Sequence, residues 1–258
     1  MANPMTATQV KAQLTKWGVK FKEVKGWETH NRNSKGAWGG VNGFMWHHTG
    51  ADVSNGATYA AGFLSKGSTA LPGPLCHFGI AEDGTAYLIG WGRTNHAGGG
   101  DSKVLDKVIS EEYTGNLKPT KGNSDGIDGN SRFYGMEIMY SGSHGMTGAQ
   151  YTTALKISAA ILDFHKWTHK SVIGHGEWSA DKWDPGYSPN KIMDMNAVRN
   201  DIADVLAKKD KNADGDTVDS GEPNAPKTPT TPPTTNKNYT VKKGDTITFP
   251  GGGKVTVN

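Results

Sequence analysis

An α/β protein, a β-sheet with helices packed on it, is what the sequence predicts for most of the chain, and three observations carry the prediction. Short apolar strand candidates at residues 41–48, 75–80, 85–89 and 133–140 are separated by turns and loops. A long amphipathic helix follows the last of them, over about residues 147–167. After residue 206 the composition turns charged and then Pro/Thr-rich, which suits an extended linker rather than a core. Strands alternating with helices are the pattern of a sheet covered by helices.

In chain order, a short helix is expected over residues 6–17, then polar, glycine-containing sequence with Trp27, Thr29, His30 and Arg32. Residues 41–48 read as a buried strand ending in two histidines. Residues 75–80 and 85–89 flank the turn Glu82-Asp83-Gly84 and are expected to pair as a hairpin. Residues 98–131 are rich in Gly, Asp, Ser and Lys, and read as a long surface loop with one short helix near 104–112. Loops of that length in compact domains are often functional. After the strand at 133–140, Thr147 and Gln150 form a capping-box pattern. Tyr151, Ala154, Leu155, Ile161 and Leu162 then recur at helical spacing. Residues 171–174 read as a short strand or turn. A last helix is expected over about 193–206, with Met195, Val198, Ile202 and Val205 on one face. The tail, 239–258, has β-prone pieces around Val241 and Val255 and is too short to be a stable domain alone. The expected organisation is an N-terminal extension (1–40) packed on a catalytic domain (41–206), then a linker (207–238) and the tail.

A chain of 258 residues has room for one medium domain with appendages. Its 34% hydrophobic content and 35 glycines point to a loop-rich protein. The single cysteine, Cys76, excludes an intramolecular disulfide framework. A net charge of +3 suits an acidic polymer as partner and is too weak to argue for nucleic acid. No run approaches the roughly 18 apolar residues of a membrane span, so no membrane insertion is expected. Residues 1–16 lack the apolar centre of a signal peptide.

A catalytic zinc takes three protein ligands from His, Asp, Glu or Cys and keeps one position open. His47 ends the apolar run Phe44-Met45-Trp46, and His175 follows Val172-Ile173-Gly174. Asp184 lies nine positions later, before Pro185-Gly186, where the chain must turn. Taken singly each is weak, because a lone histidine at a strand end is more often a structural hydrogen-bonder. Glu137 is acidic inside an otherwise apolar run, which is costly without a partner and favours a site role.

Five strings occur in order: Met45-Trp46-His47-His48-Thr49; Cys76-His77-Phe78-Gly79-Ile80 with Asp83-Gly84; Asn95-His96-Ala97-Gly98; Tyr134-Gly135-Met136-Glu137-Ile138; and Gly174-His175 through Lys182-Trp183-Asp184-Pro185-Gly186. Together, over about residues 40–206, they resemble the type 2 N-acetylmuramoyl-L-alanine amidases, whose fold is shared with peptidoglycan recognition proteins and phage amidases. The resemblance implies a central mixed β-sheet flanked by helices. It implies zinc held by His47 (rather than His48), His175 and Asp184, and hydrolysis of the amide between N-acetylmuramic acid and L-alanine in bacterial peptidoglycan. It also implies that Lys182 stabilises the oxyanion, that Glu137 handles the proton of the attacking water, and that His96 contacts substrate. Cys76 stands where some relatives carry a tyrosine, so Glu137 is expected to take over proton handling. Cys76 itself reads as a small buried hydrophobe.

Of the other residues, His48 reads as a supporting or packing group and His77 as structural. Trp91, Trp178 and Trp183 suit a cleft or a core equally. Asp210, Asn212, Asp214, Gly215 and Asp216 open like a calcium loop, but Gly221 holds the twelfth position and a solvated acidic turn is the better reading. Residues 239–246 resemble the opening of a LysM module that is not continued. The whole is expected to be a phage-type endolysin or a related bacterial amidase; as an endolysin it would be held in the host bacterial cytoplasm until release and then act on the cell wall. The alternative, a non-catalytic peptidoglycan-binding protein on the same fold, predicts loss of a zinc ligand.

Overall fold

Thr6 caps the first helix, α1 (Ala7–Lys16): its side chain accepts from the Gln9 amide, and the Gln9 side chain accepts from the amide of Thr6. Strands β1 (Phe21–Glu23) and β2 (Gly43–His48) follow, then a short helix α2 (Gly56–Tyr59) that runs into a π-helical turn (Ala60–Leu64). Next come β3 (Phe78–Ile80), β4 (Ala86–Leu88), β5 (Gly99–Gly100), α3 (Ser102–Ile109), β6 (Ile127–Asp128) and β7 (Phe133–Ile138). The long helix α4 (Gly148–His165) starts at the Thr147/Gln150 capping box that the sequence displays. Strand β8 (Val172–Gly174), the single turn α5 (His175–Trp178), β9 (Gly186–Ser188), β10 (Lys191–Ile192) and α6 (Met195–Ala213) complete this part. The computed structural model describes residues 2–213, 246–248 and 254–256. They fall into two compact units, Met1–Ala225 and Pro226–Asn258.

Six strands form one mixed sheet in the order β1-β4-β3-β7-β2-β8. Only the β3–β4 hairpin is antiparallel; the other neighbours run parallel. Side chains alternate across a strand, and the two faces are filled differently. Phe44, Trp46, Tyr134, Met136 and Ile138 pack under α4, with α1 and α6 packed on α4 in turn. Trp46 Nε1 donates to Ser158 on α4 at 2.9 Å. On the other face Met45, Phe133 and Ile173 pack against Val104, Leu105 and Val108 of α3 and Trp178 of α5.

Several expectations need correcting. The strand expected to reach residue 140 ends at Ile138, and the one expected from residue 75 begins at Phe78. The last helix continues to Ala213, into the stretch expected to be linker. That stretch is charged, but it carries no Pro or Gly before Gly215 to stop a helix. The strands β1, β5, β6, β9 and β10 and the turn around α2 had no periodic signal. They are two to four residues long, and their pairing is fixed by distant partners. In the second unit β11 (Thr246–Thr248) pairs antiparallel with β12 (Lys254–Thr256). The LysM-like opening, the β-prone piece at Val241 and all but the start of the calcium-like pattern lie outside the described residues. No helix among the described residues is long and apolar enough to cross a membrane.

Candidate metal centre

The parallel strands β2, β7 and β8 end at the same edge of the sheet, where open α/β sheets place their sites. In register, His47 lies opposite Glu137, and Trp46 opposite Gly174. His175, the next residue after Gly174, therefore comes beside His47 on the face away from α4. The chain then makes the single turn α5 and returns. The Gly176 amide donates to the Asp184 carbonyl at 2.9 Å, which brings the Asp184 side chain back to the two histidines.

The three side chains meet tightly. His47 Nδ1 lies 3.0 Å from His175 Nδ1 and 3.0 Å from Asp184 Oδ2, and His175 Nδ1 lies 3.2 Å from the same oxygen. Which atoms carry protons follows from the outer partners. The Phe133 carbonyl, 3.2 Å from His96 Nε2, requires a donor there. Burial, with the neighbouring histidines His47 and His77, holds the pKa of His96 well below the usual value, so the ring is neutral and its Nδ1 is bare. That nitrogen, 3.0 Å from His47 Nε2, accepts from it, which leaves His47 Nδ1 bare. On the other side His175 Nε2 donates to Asn123 Oδ1 at 3.0 Å, so Nδ1 is the ring nitrogen left to face His47 and Asp184. One ring nitrogen from each histidine and a carboxylate oxygen thus converge on one point.

The charges agree with this arrangement. Burial, reinforced by His175, lowers the pKa of His47 to about 4. Burial opposes the charge of Asp184, but His175 and His47 outweigh it and hold its carboxyl well below the usual range. The set is two imidazole nitrogens and one carboxylate oxygen, a donor set that zinc takes. Tetrahedral bonds of about 2.0–2.1 Å need donor separations of roughly 3.3 Å, close to those present. The residues fit a metal ion, and the outward bonds to His96 and Asn123 are the kind that fix the rings of ligating histidines.

The group lines a cavity of about 450 Å³ that also includes Glu137, His96, Asn123, Lys182 and Trp183. Glu137 Oε2 is buried there with no hydrogen-bond partner. Burial, and then the charge of Asp184, push the Glu137 carboxyl well above the usual range, while Lys182 acts the other way. Lys182 is therefore within electrostatic reach of Glu137, as it is of His47.

His96, expected to contact substrate, uses both ring nitrogens inside the protein; what the geometry gives it is a hold on His47. It packs so closely over Gly135 that a Cβ there would lie 2.3 Å from its ring, which explains a glycine in that strand. His48 faces the other way, accepts from the Gly186 amide at 3.1 Å and so fastens the turn after Asp184. His77 is structural: it bonds to the Gly92 carbonyl and the Gly135 amide. Cys76 is a buried member of an apolar cluster, and burial pushes its thiol up. Trp91 and Trp178 belong to the core, whereas Trp183 lines the cavity.

Three groups at this site had no signal of their own. Asn123 sits in the long loop, held by its amide's bond to Asp181 at 2.8 Å; loop length was the only hint. Phe63 (40% exposed) and Leu71 (45%) form an apolar rim of the cavity. Tyr59 is half-buried beside the site, and burial and the charge of Glu137 raise its pKa.

Comparison with known families matches residues 37–187, more than half of the chain, to the family described as N-acetylmuramoyl-L-alanine amidase. The chain belongs to that family. Comparison with curated protein sequences gives no match. Among solved structures, the chain is similar to Endolysine N-acetylmuramoyl-L-alanine amidase LysCS from Clostridium intestinale URNW, at 19% identity and TM-score 0.40, over 66% of this chain and 88% of that one. It is similar to the catalytic domain of XlyA at 17% identity and TM-score 0.44, over 73% and 99%. A mutant of Drosophila PGRP-LB matches at 13% identity and TM-score 0.41, over 67% and 91%. As a member of the amidase family the chain carries the candidate His-His-Asp metal site described above.

Proposed function

We propose that this amidase hydrolyses the bond between the lactyl group of N-acetylmuramic acid and L-alanine in bacterial peptidoglycan, with zinc held by His47, His175 and Asp184. The observation that carries the reading is the trio of converging donor atoms, 3.0–3.2 Å apart, beside the unpartnered oxygen of Glu137. When bound, zinc acidifies a water and polarises the scissile carbonyl. Glu137, whose carboxyl is tuned upward, takes the proton of the attacking water at Oε2 and passes it to the leaving L-alanine nitrogen. The Lys182 ammonium, beside the same cavity, faces the charge that develops on the carbonyl oxygen. His96 and Asn123 hold the two imidazoles in the required tautomers. A non-catalytic wall-binding protein would have no use for this complete set.

The finer reading is a phage-type endolysin that stays in the host cytoplasm until a separate pore releases it. It rests on the organisation read from the sequence, a catalytic unit followed by a Pro/Thr-rich linker and a short tail. Cytoplasmic expression should leave host cells intact until a pore-forming protein is co-expressed; lysis without the pore would count against it.

Product analysis on defined peptidoglycan tests the chemistry. The purified chain should carry about one zinc and release L-alanine amino termini without new reducing sugar ends. New reducing ends, or full activity after chelation, would overturn the reading.

A further inference from the structure

A buried ion pair stands directly behind His175. Arg199, on α6, is only 2% exposed. Its two terminal nitrogens donate to Glu177 Oε2 and Oε1, each at 2.9 Å. Two further bonds reach the backbone of β8. Arg199 Nη1 also donates to the Val172 carbonyl at 3.1 Å, and Glu177 Oε2 accepts from the Gly174 amide at 3.0 Å. Among the described residues β8 is an edge strand, paired only with β2. An edge carbonyl and amide need partners when buried, and here the ion pair stands where a seventh strand would. Asn196 Oδ1 accepts from Arg199 Nη2 at 2.6 Å, and the Tyr113 ring lies 5.2 Å from the guanidinium. The long loop crosses the pair at Gly115 (φ +74°), where a Cβ would sit 2.6 Å from Arg199 Nη2. The same loop carries Asn123, the partner of His175.

We propose that Glu177 and Arg199 are positioning residues for the metal centre: they complete the open edge of β8 and so fix the backbone from which His175 projects. The inference rests on the zinc reading above. Burying a charge pair brings little net stability over apolar packing. What it supplies here is direction, with four elements (β8, α5, α6 and the loop) meeting on one fork of hydrogen bonds.

The test separates positioning from stability. The double variant Glu177→Met with Arg199→Met replaces the pair by apolar side chains of similar size. Its metal-free form should still fold, with a lowered melting temperature because the Val172 carbonyl and the Gly174 amide lose their partners. Its zinc dissociation constant, read by chelator competition, should rise about 10–100-fold, and the absorption bands of the cobalt-substituted protein should shift. Wild-type zinc affinity in the folded double variant overturns the proposal. Should that variant not fold, Arg199→Lys decides: it keeps the charge but loses the fork, and zinc should bind roughly tenfold more weakly. Unchanged affinity there overturns the proposal alone. A wild-type chain that takes no zinc overturns both this proposal and the zinc reading.

Discussion

The two faces of the sheet are made from alternate residues of the same strands, yet they do opposite things. On β2, Phe44 and Trp46 pack under α4, while Met45 and His47 point the other way. On β7, Met136 and Ile138 belong to the α4 side, and Glu137 to the cavity. The face under α4 is filled with apolar side chains. The other is apolar near its middle, against α3 and α5, and at the strand ends it opens into the cavity with His47, His175, Asp184 and Glu137. A single strand thus supplies packing and chemistry one residue apart. The comparison teaches that the site owes its rigidity to the face it does not use.

Substitutions should break this comparison in opposite ways. The largest effect is expected at His175→Ala. Hydrolysis should fall by ~10⁴-fold or more, and zinc should no longer co-purify, while the metal-free protein keeps its melting temperature within a few degrees. Activity near wild type would remove His175 from the site. Next comes Trp46→Ala on the helix face, one residue from His47. It should cost about 3–5 kcal/mol of stability, measured by denaturant unfolding, and leave turnover per folded molecule unchanged. Equal losses of stability and turnover would mean that the faces are not separable.

Glu137→Gln sharpens the contrast. The rate should drop about 10³-fold, yet the protein should be no less stable, because an unpaired buried carboxyl has been removed. Unchanged kcat would take Glu137 out of the proton path. The smallest effect lies on the helix face. Burial opposes the charge of Asp163, but bonds from Lys16, Trp17 and Lys166 outweigh it and lower its pKa to about 2. A depressed carboxyl stabilises the fold above its unfolded pKa and loses that contribution as pH falls through its folded pKa. The window here is therefore about pH 4 down to 2. Asp163→Asn should cost about 1 kcal/mol near pH 7, allowing for solvent screening. The gap from wild type should close by pH 2; a gap that persists would assign the effect to packing.

Legibility in the sequence followed the range of the interaction. The capping boxes at Thr6/Gln9 and Thr147/Gln150 are bonds across three residues, so local sequence displays them. The strand at 43–48 and the helix at 148–165 show as runs of apolar residues with the right period. By contrast β1, three residues long, exists through its pairing with β4, more than 60 positions on. Asn123 meets His175 from 52 positions away, inside a loop with no pattern. His96 meets the Phe133 carbonyl from 37 positions away.

By itself the sequence determined the order of the main elements and the chemical identity of the donors, two histidines and a carboxylate at the ends of apolar runs. These are properties of side chains and of local periodicity, and they need no partner to be read. Only the tertiary structure decided which nitrogen of each ring faces the trio, where Glu137 stands relative to it, and that an ion pair closes the edge of β8. Each of these is set by hydrogen bonds and burial contributed by distant segments, and a proton or an orientation belongs to the pair of groups that share it rather than to either residue alone.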